Sequence, residues 1–478
     1  MGNNNRQSLS RRDFLLASSS AALLAACQQS SVITSSQAGM NTQSFKTNTP
    51  FAMPDIIVPD FAHTPEFDIR AFGAIAGDKH ANNRAIASAI DAAHQAGGGR
   101  VIIPQGEWVC GKIHLKSFVN LHVRKGAQLT FSGDPKDYLP AVKTSWEGME
   151  CYNYSPLIYA YGCEYIALSG EGKLFANLDT WKIWYKRPPE HMQALANLYH
   201  MAAKGEPVEA RKMDYEGANL RPHFVHFNRC KHVLIEDIDI ENSPFWVLHP
   251  YMSEHVVIRG VSVKAYGHNN DGVDPEMTQN LLIEHCEFDQ GDDAIAIKAG
   301  RNQDAWRLNM PCKNVVIRHC RIKRAHQLIA IGSELSGGIE NVFVDDCHFE
   351  GGAAFKYEGT GNLVLIKTNE RRGGYVRNIV VQNITAPAIN GGALTIATDV
   401  LYQWKDLVPT YERKLTTISG IHLQNVRVGK AGYLCKIEGQ AEMPVSNVTL
   451  SDVVAENTRE EAVQNSNVNG FSWQNSQN

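Results

Sequence analysis

The chain runs to 478 residues with 43% hydrophobic and 20% charged content, the composition of a globular protein with a large buried core. Its 46 basic and 50 acidic side chains leave a formal net charge of -4. That balance gives no electrostatic support for a nucleic-acid partner or for broad attachment to an anionic membrane.

Taken in chain order, Ser10-Arg11-Arg12-Asp13-Phe14-Leu15 has the twin-arginine form of an export signal, and the apolar run from Leu15 to Ala26 is too short to span a bilayer. The run ends Leu24-Ala25-Ala26-Cys27, which resembles a bacterial lipoprotein box and makes Cys27 the expected acylated first residue of the mature chain. Residues 1–27 therefore read as a leader, and residues 28–60, rich in Ser, Thr, Gln and Asn, as a flexible tether. The expectation is export in folded form to the periplasm or cell surface, with membrane contact only through the lipid. Gln28, where a retention signal would carry Asp, favours the outer membrane. Nine of the ten cysteines follow Cys27, an odd number, so a complete disulfide framework is not expected.

Phe67 to Gly73 reads as a strand, Asn82 to Ala96 as a short helix, and Val101-Ile102-Ile103-Pro104 as the next strand. Between Asn177 and Pro222, Trp181, Trp184, Tyr185, Met192, Leu195 and Leu198 predict a helical, partly aromatic insert. From residue 231 one phrase recurs: His232-Val233-Leu234-Ile235, then starts at His255, Asn280, Asn314, Asn341, Asn378 and Asn447, with Gly420 filling most of the widest gap. Five residues after each first apolar position stand Ile238, Val261, Cys286, Cys320, Cys347, Ile384, Val426 and Val453, all apolar or cysteine. One inward position repeated on short strands predicts stacked coils with parallel strands, and makes these cysteines core residues. The recurrent Asn reads as a turn residue and a hydrogen-bonded ladder. The expected fold is all-β, a right-handed parallel β-helix over residues 61–460, capped by the N-terminal helix and followed by a tail at 461–478. Capping protects the otherwise exposed sheet edge.

Two acidic phrases fall on neighbouring coils, Asn269-Asn270-Asp271-Gly272-Val273-Asp274 and Gly291-Asp292-Asp293-Ala294-Ile295. Like carboxylates at one surface raise at least one proton affinity, which yields a neutral acid beside ionised bases, the pairing that glycoside hydrolysis needs. Asp in Gly-flanked turns, or as calcium ligands, is the plainer alternative. His326 lies eleven residues after its coil marker Val315, as Asp292 does after Leu281, so it stacks one coil beyond the acid pair. Lys367 falls on the following coil and offers a point charge to a substrate carboxylate.

These phrases resemble the polygalacturonase family, the family 28 glycoside hydrolases, whose pattern runs Asn-x-Asp, Asp-Asp, Gly-His-Gly and Arg-x-Lys on successive coils. The likeness extends to Ala71-Phe72-Gly73-Ala74, to Ile331-Gly332-Ser333-Glu334 and to Lys367-Thr368-Asn369 before Arg371-Arg372-Gly373-Gly374. It implies a right-handed parallel β-helix, no metal or other cofactor, and hydrolysis with inversion. It makes Asp292 the general acid, Asp271 and Asp293 the activators of water, His326 a support for the acid or substrate, and Lys367 and Asn269 substrate contacts. The insert would then wall off one end of a groove, making cleavage exo-acting, with Trp181 and Trp184 able to stack on sugar faces. The expected partner is an acidic poly- or oligosaccharide, acted on by a monomer. Two departures stand out: Gly-His-Gly is Ala325-His326-Gln327, and the Arg of Arg-x-Lys is Leu365. The second removes a bidentate clamp on a sugar carboxylate, leaving a different uronic glycan, such as rhamnogalacturonan or an algal polymer, or a compensating Arg301 or Arg307. A calcium-dependent polysaccharide lyase and a non-catalytic glycan-binding protein are the alternatives of another class.

Overall fold

The computed structural model describes residues 40–350, 361–400 and 412–475, the side chains of 183–185 excepted. Cys27 and residues 1–27, read above as a leader, lie outside the described residues. From Asn41 onward the chain is one unit built from parallel coils. Each coil begins on a residue in the left-handed region: Tyr165, His232, His255, Asn280, Asn314, Asn341, Asn378 and Asn447 all have φ between 52° and 57°. Asn tolerates that conformation better than other residues with a side chain, which explains its recurrence. The Asn side chains also form the expected ladder: Nδ2 of Asn314, Asn341 and Asn378 donates to Oδ1 of the Asn one coil earlier at 2.8, 2.9 and 2.6 Å.

After that turn the strands alternate inward and outward. All eight residues of the apolar column are at most 2% exposed, and Cys286, Cys320 and Cys347 stand among them as free thiols. The result is a right-handed parallel β-helix. One of its walls runs through Ile113–His114, Ile158–Tyr161, Val225–Asn228 and Leu248–Tyr251, then Ile295–Ile297, Gln327–Gly332, Asn362–Lys367, Leu394–Ala397, Cys435–Glu438 and Val463–Ser466. Single bridges at Val273, to Leu248 and to Ile295, join its two halves.

Helix α1 (Lys79–Gln95) covers the first coils as expected. Asp78 caps it by accepting from the Ala81 N–H, and Ile86, Ala89, Ile90 and Ala93 enter the core. The strand expected through Gly73 stops at Asp68, because the Asp68 carboxylate accepts from the Arg70 N–H and opens a 3-10 turn, Ile69–Phe72.

Both expected ends of the β-helix need correction. Residues assigned to the tether include a hairpin, Thr42–Phe45 against Ile56–Pro59. It lies on the coils through Ile57, whose carbonyl meets His232 Nδ1 at 2.7 Å, with Ile56 and Val58 fully buried. Residues assigned to the tail complete another coil, with Val468–Gln474 pairing onto the strand that begins at Val445. The insert is helical as expected, with helix α2 (Pro189–Ala203), and it packs on a separate hairpin, Val142–Trp146 and Met149–Asn153. Helix, hairpin and the loop after residue 241 share an apolar cluster that includes Trp146, Met149, Leu195, Leu198, Phe245 and Trp246.

Candidate active site

Coil register brings the acidic phrases together. The Val273–Ile295 bridge places Asp271 beside Asp293, and the Gly272 N–H donates to the Asp293 carbonyl at 3.0 Å. Glycine is required between them, since a Cβ on Gly272 would lie 2.6 Å from the Ala294 carbonyl oxygen. One coil further, the His326 N–H donates to the Asp292 carbonyl at 2.9 Å. Asp271 is thus level with Asp293, and Asp292 with His326.

The side chains follow that register. Asp292 Oδ1 meets His326 Nδ1 at 3.1 Å and accepts the Asp293 N–H at 3.1 Å, while its Oδ2 accepts the Asn269 N–H at 3.2 Å. Lys367 Nζ donates to Asp293 Oδ2 at 3.2 Å. Behind them Lys298 Nζ stands 3.3 Å from Glu334, 3.5 Å from Asp274 and 3.8 Å from Asp271, over the Trp246 ring. The Asp292 and His326 side chains are each 24% exposed, whereas Asp271 and Asp293 are almost fully buried. Oδ1 of Asp271 and Oδ1 of Asp293 have no hydrogen-bond partner among the described residues. Both are buried acceptors whose hydrogen-bonding capacity is unused.

Burial and like charge separate the carboxyls electrostatically. Burial, then the charges of Asp274 and Asp292, push Asp271 well above the usual carboxylate range, and Lys298 offsets this only in part. Burial also pushes Asp292 up, but its hydrogen bond and charge contact with His326, joined by Lys367 and Lys298, prevail and hold it at about 2. His326 is the reciprocal case: burial opposes its charge, but Asp292 raises its proton affinity above the ordinary imidazole value. One carboxyl is thus held neutral beside another held ionised.

Comparison with known proteins decides what this arrangement belongs to. Residues 205–476 match Glycosyl hydrolases family 28. A crystal structure of an exopolygalacturonase from Thermotoga maritima superposes with a TM-score of 0.78 at 33% identity, covering 87% of this chain and 92% of that one. The chain belongs to family 28 of the glycosyl hydrolases. Among curated relatives, a probable polygalacturonase of Vitis vinifera is 25% identical over 80% of this chain and 72% of its own. An exo-poly-alpha-D-galacturonosidase of Dickeya chrysanthemi is 26% identical over 64% of this chain, which spans 52% of that protein. The protein is accordingly a glycoside hydrolase of the polygalacturonase type.

Within this family 28 site, the structure brings together Asp271, Asp292, Asp293, His326 and Lys367. Asn269 takes part through its backbone, while its side-chain oxygen is held by Arg221 at 2.9 Å. Trp181 needs correction: it is 4% exposed and wedged between Tyr138 and Tyr154, so it packs the insert and offers no face to a sugar. The Trp184 side chain lies outside those described. Arg301 and Arg307 are already ion-paired, Arg301 to Glu334 and Glu147, Arg307 to Glu150 and Asp304.

Sequence reasoning missed Lys298 as the cation of the cluster, although Asp292-to-Lys298 is one continuous phrase. It also missed three buried histidines beside the site. His226 Nδ1 meets His249 Nδ1 at 2.9 Å, His249 Nε2 meets Glu276 at 3.0 Å, and His223 Nε2 meets the Ser145 carbonyl at 3.0 Å. Burial drives all three well below the usual imidazole range. Their spacing, like that of Asp292, Asp293 and His326, is within reach of a single metal ion. Direct contacts between His226 and His249, and between Asp292 and His326, meanwhile occupy ring nitrogens and carboxylate oxygens in both groups.

Proposed function

We propose that this enzyme removes sugar units from the end of a pectin-like galacturonate chain by inverting hydrolysis. The observation that carries the reading is the carboxylate trio on adjacent coils, with Asp292 against His326 and Asp293 against Lys367. In this scheme Asp292 protonates the glycosidic oxygen as the C1–O bond breaks. Asp271 and Asp293, through their unpaired Oδ1 atoms, orient water and accept its proton as oxygen attacks C1 from the opposite face.

The proton must first reach Asp292, which the empty site holds ionised. A sugar carboxylate docking on Lys367 cancels one of the charges that keeps Asp292 ionised, and substrate excludes water. Both effects raise the Asp292 proton affinity, while Asp271 is the neighbour with a proton to release. Exo action is supported by the insert, whose Tyr199 hydroxyl bonds to Arg301 beside Glu334 and so closes over one side of the cluster. The Thermotoga and Dickeya relatives, both exo-acting by name, support it too.

Leu365 favours a second reading, rhamnogalacturonan or an algal uronic-acid polymer, because it puts an apolar side chain beside Lys367. The leader motifs support the further proposal of an exported, lipid-anchored enzyme facing the periplasm or cell surface. Product chromatography of residues 28–478 on polygalacturonate, rhamnogalacturonan and algal glycans is the direct test, with Asp292→Asn in parallel. Saturated monosaccharide from the first minutes, cut by about 10²- to 10⁴-fold in the variant, is the expected outcome. Oligomer ladders would overturn exo action, unsaturated products would favour a lyase, and no cleavage of any glycan would favour a binding protein.

A further inference from the structure

Leu365 leaves a question of charge. It is half-buried and faces the same side of its strand as Lys367, so no guanidinium reaches a sugar acid from that position. Arg301 and Arg307 cannot replace it without surrendering carboxylates they already hold. Arg372 is different. It is 5% exposed, its Nη1 donates to Asn302 Oδ1 at 2.7 Å and its Nη2 to Ser333 Oγ at 3.5 Å, and its Nε has no partner. Among the described residues, no carboxylate lies within ion-pair distance of it. A buried guanidinium is ordinarily paired, because neutral partners do not repay the loss of hydration. Here burial, with repulsion from Arg301, pulls its proton affinity down to about 10, which still leaves it charged at neutral pH.

Its place in the fold links it to the reaction centre. Arg372 sits on the turn that follows Asn362–Lys367, and Gly332, just before Ser333, pairs with Lys367. Ser333 Oγ donates to Glu334 at 3.2 Å, and Glu334 holds Lys298, the cation beside Asp271. Lys298 and Lys367 thus stand among the carboxylates of the cluster, and Arg372 joins them through Ser333 and Glu334.

We propose that Arg372, in the absence of an arginine at position 365, binds the C6 carboxylate of the sugar next to the scissile bond together with Lys367, and so sets the preference for uronic over neutral sugars. The inference rests on the galacturonate reading above. A guanidinium fixed by Asn302 and Ser333 presents its remaining donors with little further ordering, which suits a planar carboxylate.

The test compares digalacturonate with its methyl ester, using residues 28–478 as wild type, Arg372→Gln and Arg372→Lys. Arg372→Gln is expected to lose roughly 10- to 100-fold in kcat/KM on digalacturonate, the range for a lost charged hydrogen bond, and to change less than twofold on the ester. Arg372→Lys should recover part of the loss. Adding Leu365→Arg to Arg372→Gln should also restore activity, which a folding defect would not allow. Unchanged kinetics on digalacturonate, or an equal fall on both substrates, would overturn the assignment. Calorimetric binding of digalacturonate to Asp292→Asn, with and without Arg372→Gln, separates the two readings. A wild type that cleaves no uronic glycan defeats the proposed function, whereas equal affinity in the two variants defeats the role of Arg372.

Discussion

His326 and Asp292 meet at 3.1 Å, and each stabilises the charge of the other against burial. Removing the imidazole therefore has a signed consequence. In His326→Ala the chief group holding Asp292 ionised is gone, so the Asp292 pKa rises and its acid form persists to higher pH. The alkaline limb of the kcat profile should move upward while kcat itself falls roughly 10- to 100-fold, since the acid loses its orienting partner. A limb that stays in place would mean that Asp292 does not deliver the proton. That Asp271, Asp292, Asp293, His326 and Lys367 come together was legible in sequence because coil register puts equivalent positions on one face. The places of Lys298, Glu334 and Arg372 beside them were not, because they depend on which buried charges lack or share partners. A one-dimensional pattern carries no such information.

The asparagine ladder shows how one residue type can serve an element twice. Asn314 occupies φ 57° and both donates to Asn280 and accepts from Asn341. Asn314→Ala loses those bonds and adds left-handed strain, for a cost of about 2–4 kcal/mol; Asn314→Gly loses the bonds without that strain. Urea unfolding should therefore rank wild type above Gly and Gly above Ala, and an Ala variant at least as stable as Gly would contradict the conformational half of the argument. Gly420, at φ 67° in the equivalent turn, shows that the coil accepts the substitution. The elements were readable because the turn residue and the apolar column recur at fixed offsets. Trp181 was misplaced for the opposite reason: in a helical insert with no repeat, an aromatic pattern does not say which face meets solvent. The hairpin at 42–59 escaped notice because it continues a Ser-, Thr-, Gln- and Asn-rich stretch and its apolar Ile56 and Val58 find a core only on the coils.

Across the whole molecule, the stacking that builds the core also stacks thiols. Nine described cysteines are free and buried, and Cys286, Cys320 and Cys347 sit at one position on consecutive coils, where neighbouring strands run only about 4.8 Å apart. In the folded chain burial shields them from oxidants. An unfolded chain entering an oxidising compartment would instead expose all nine, and chance pairing among them would block coil formation. The proposed twin-arginine leader, which would export folded protein, fits that hazard. Native protein should consequently react with a thiol reagent at essentially none of these nine positions, and at all nine once denatured. Replacing residues 1–27 with a leader for unfolded export should then give disulfide-linked, inactive material that a reductant rescues. Active, fully reduced enzyme from that route would show that the coils close faster than the thiols oxidise, and would remove this reason for export in the folded state.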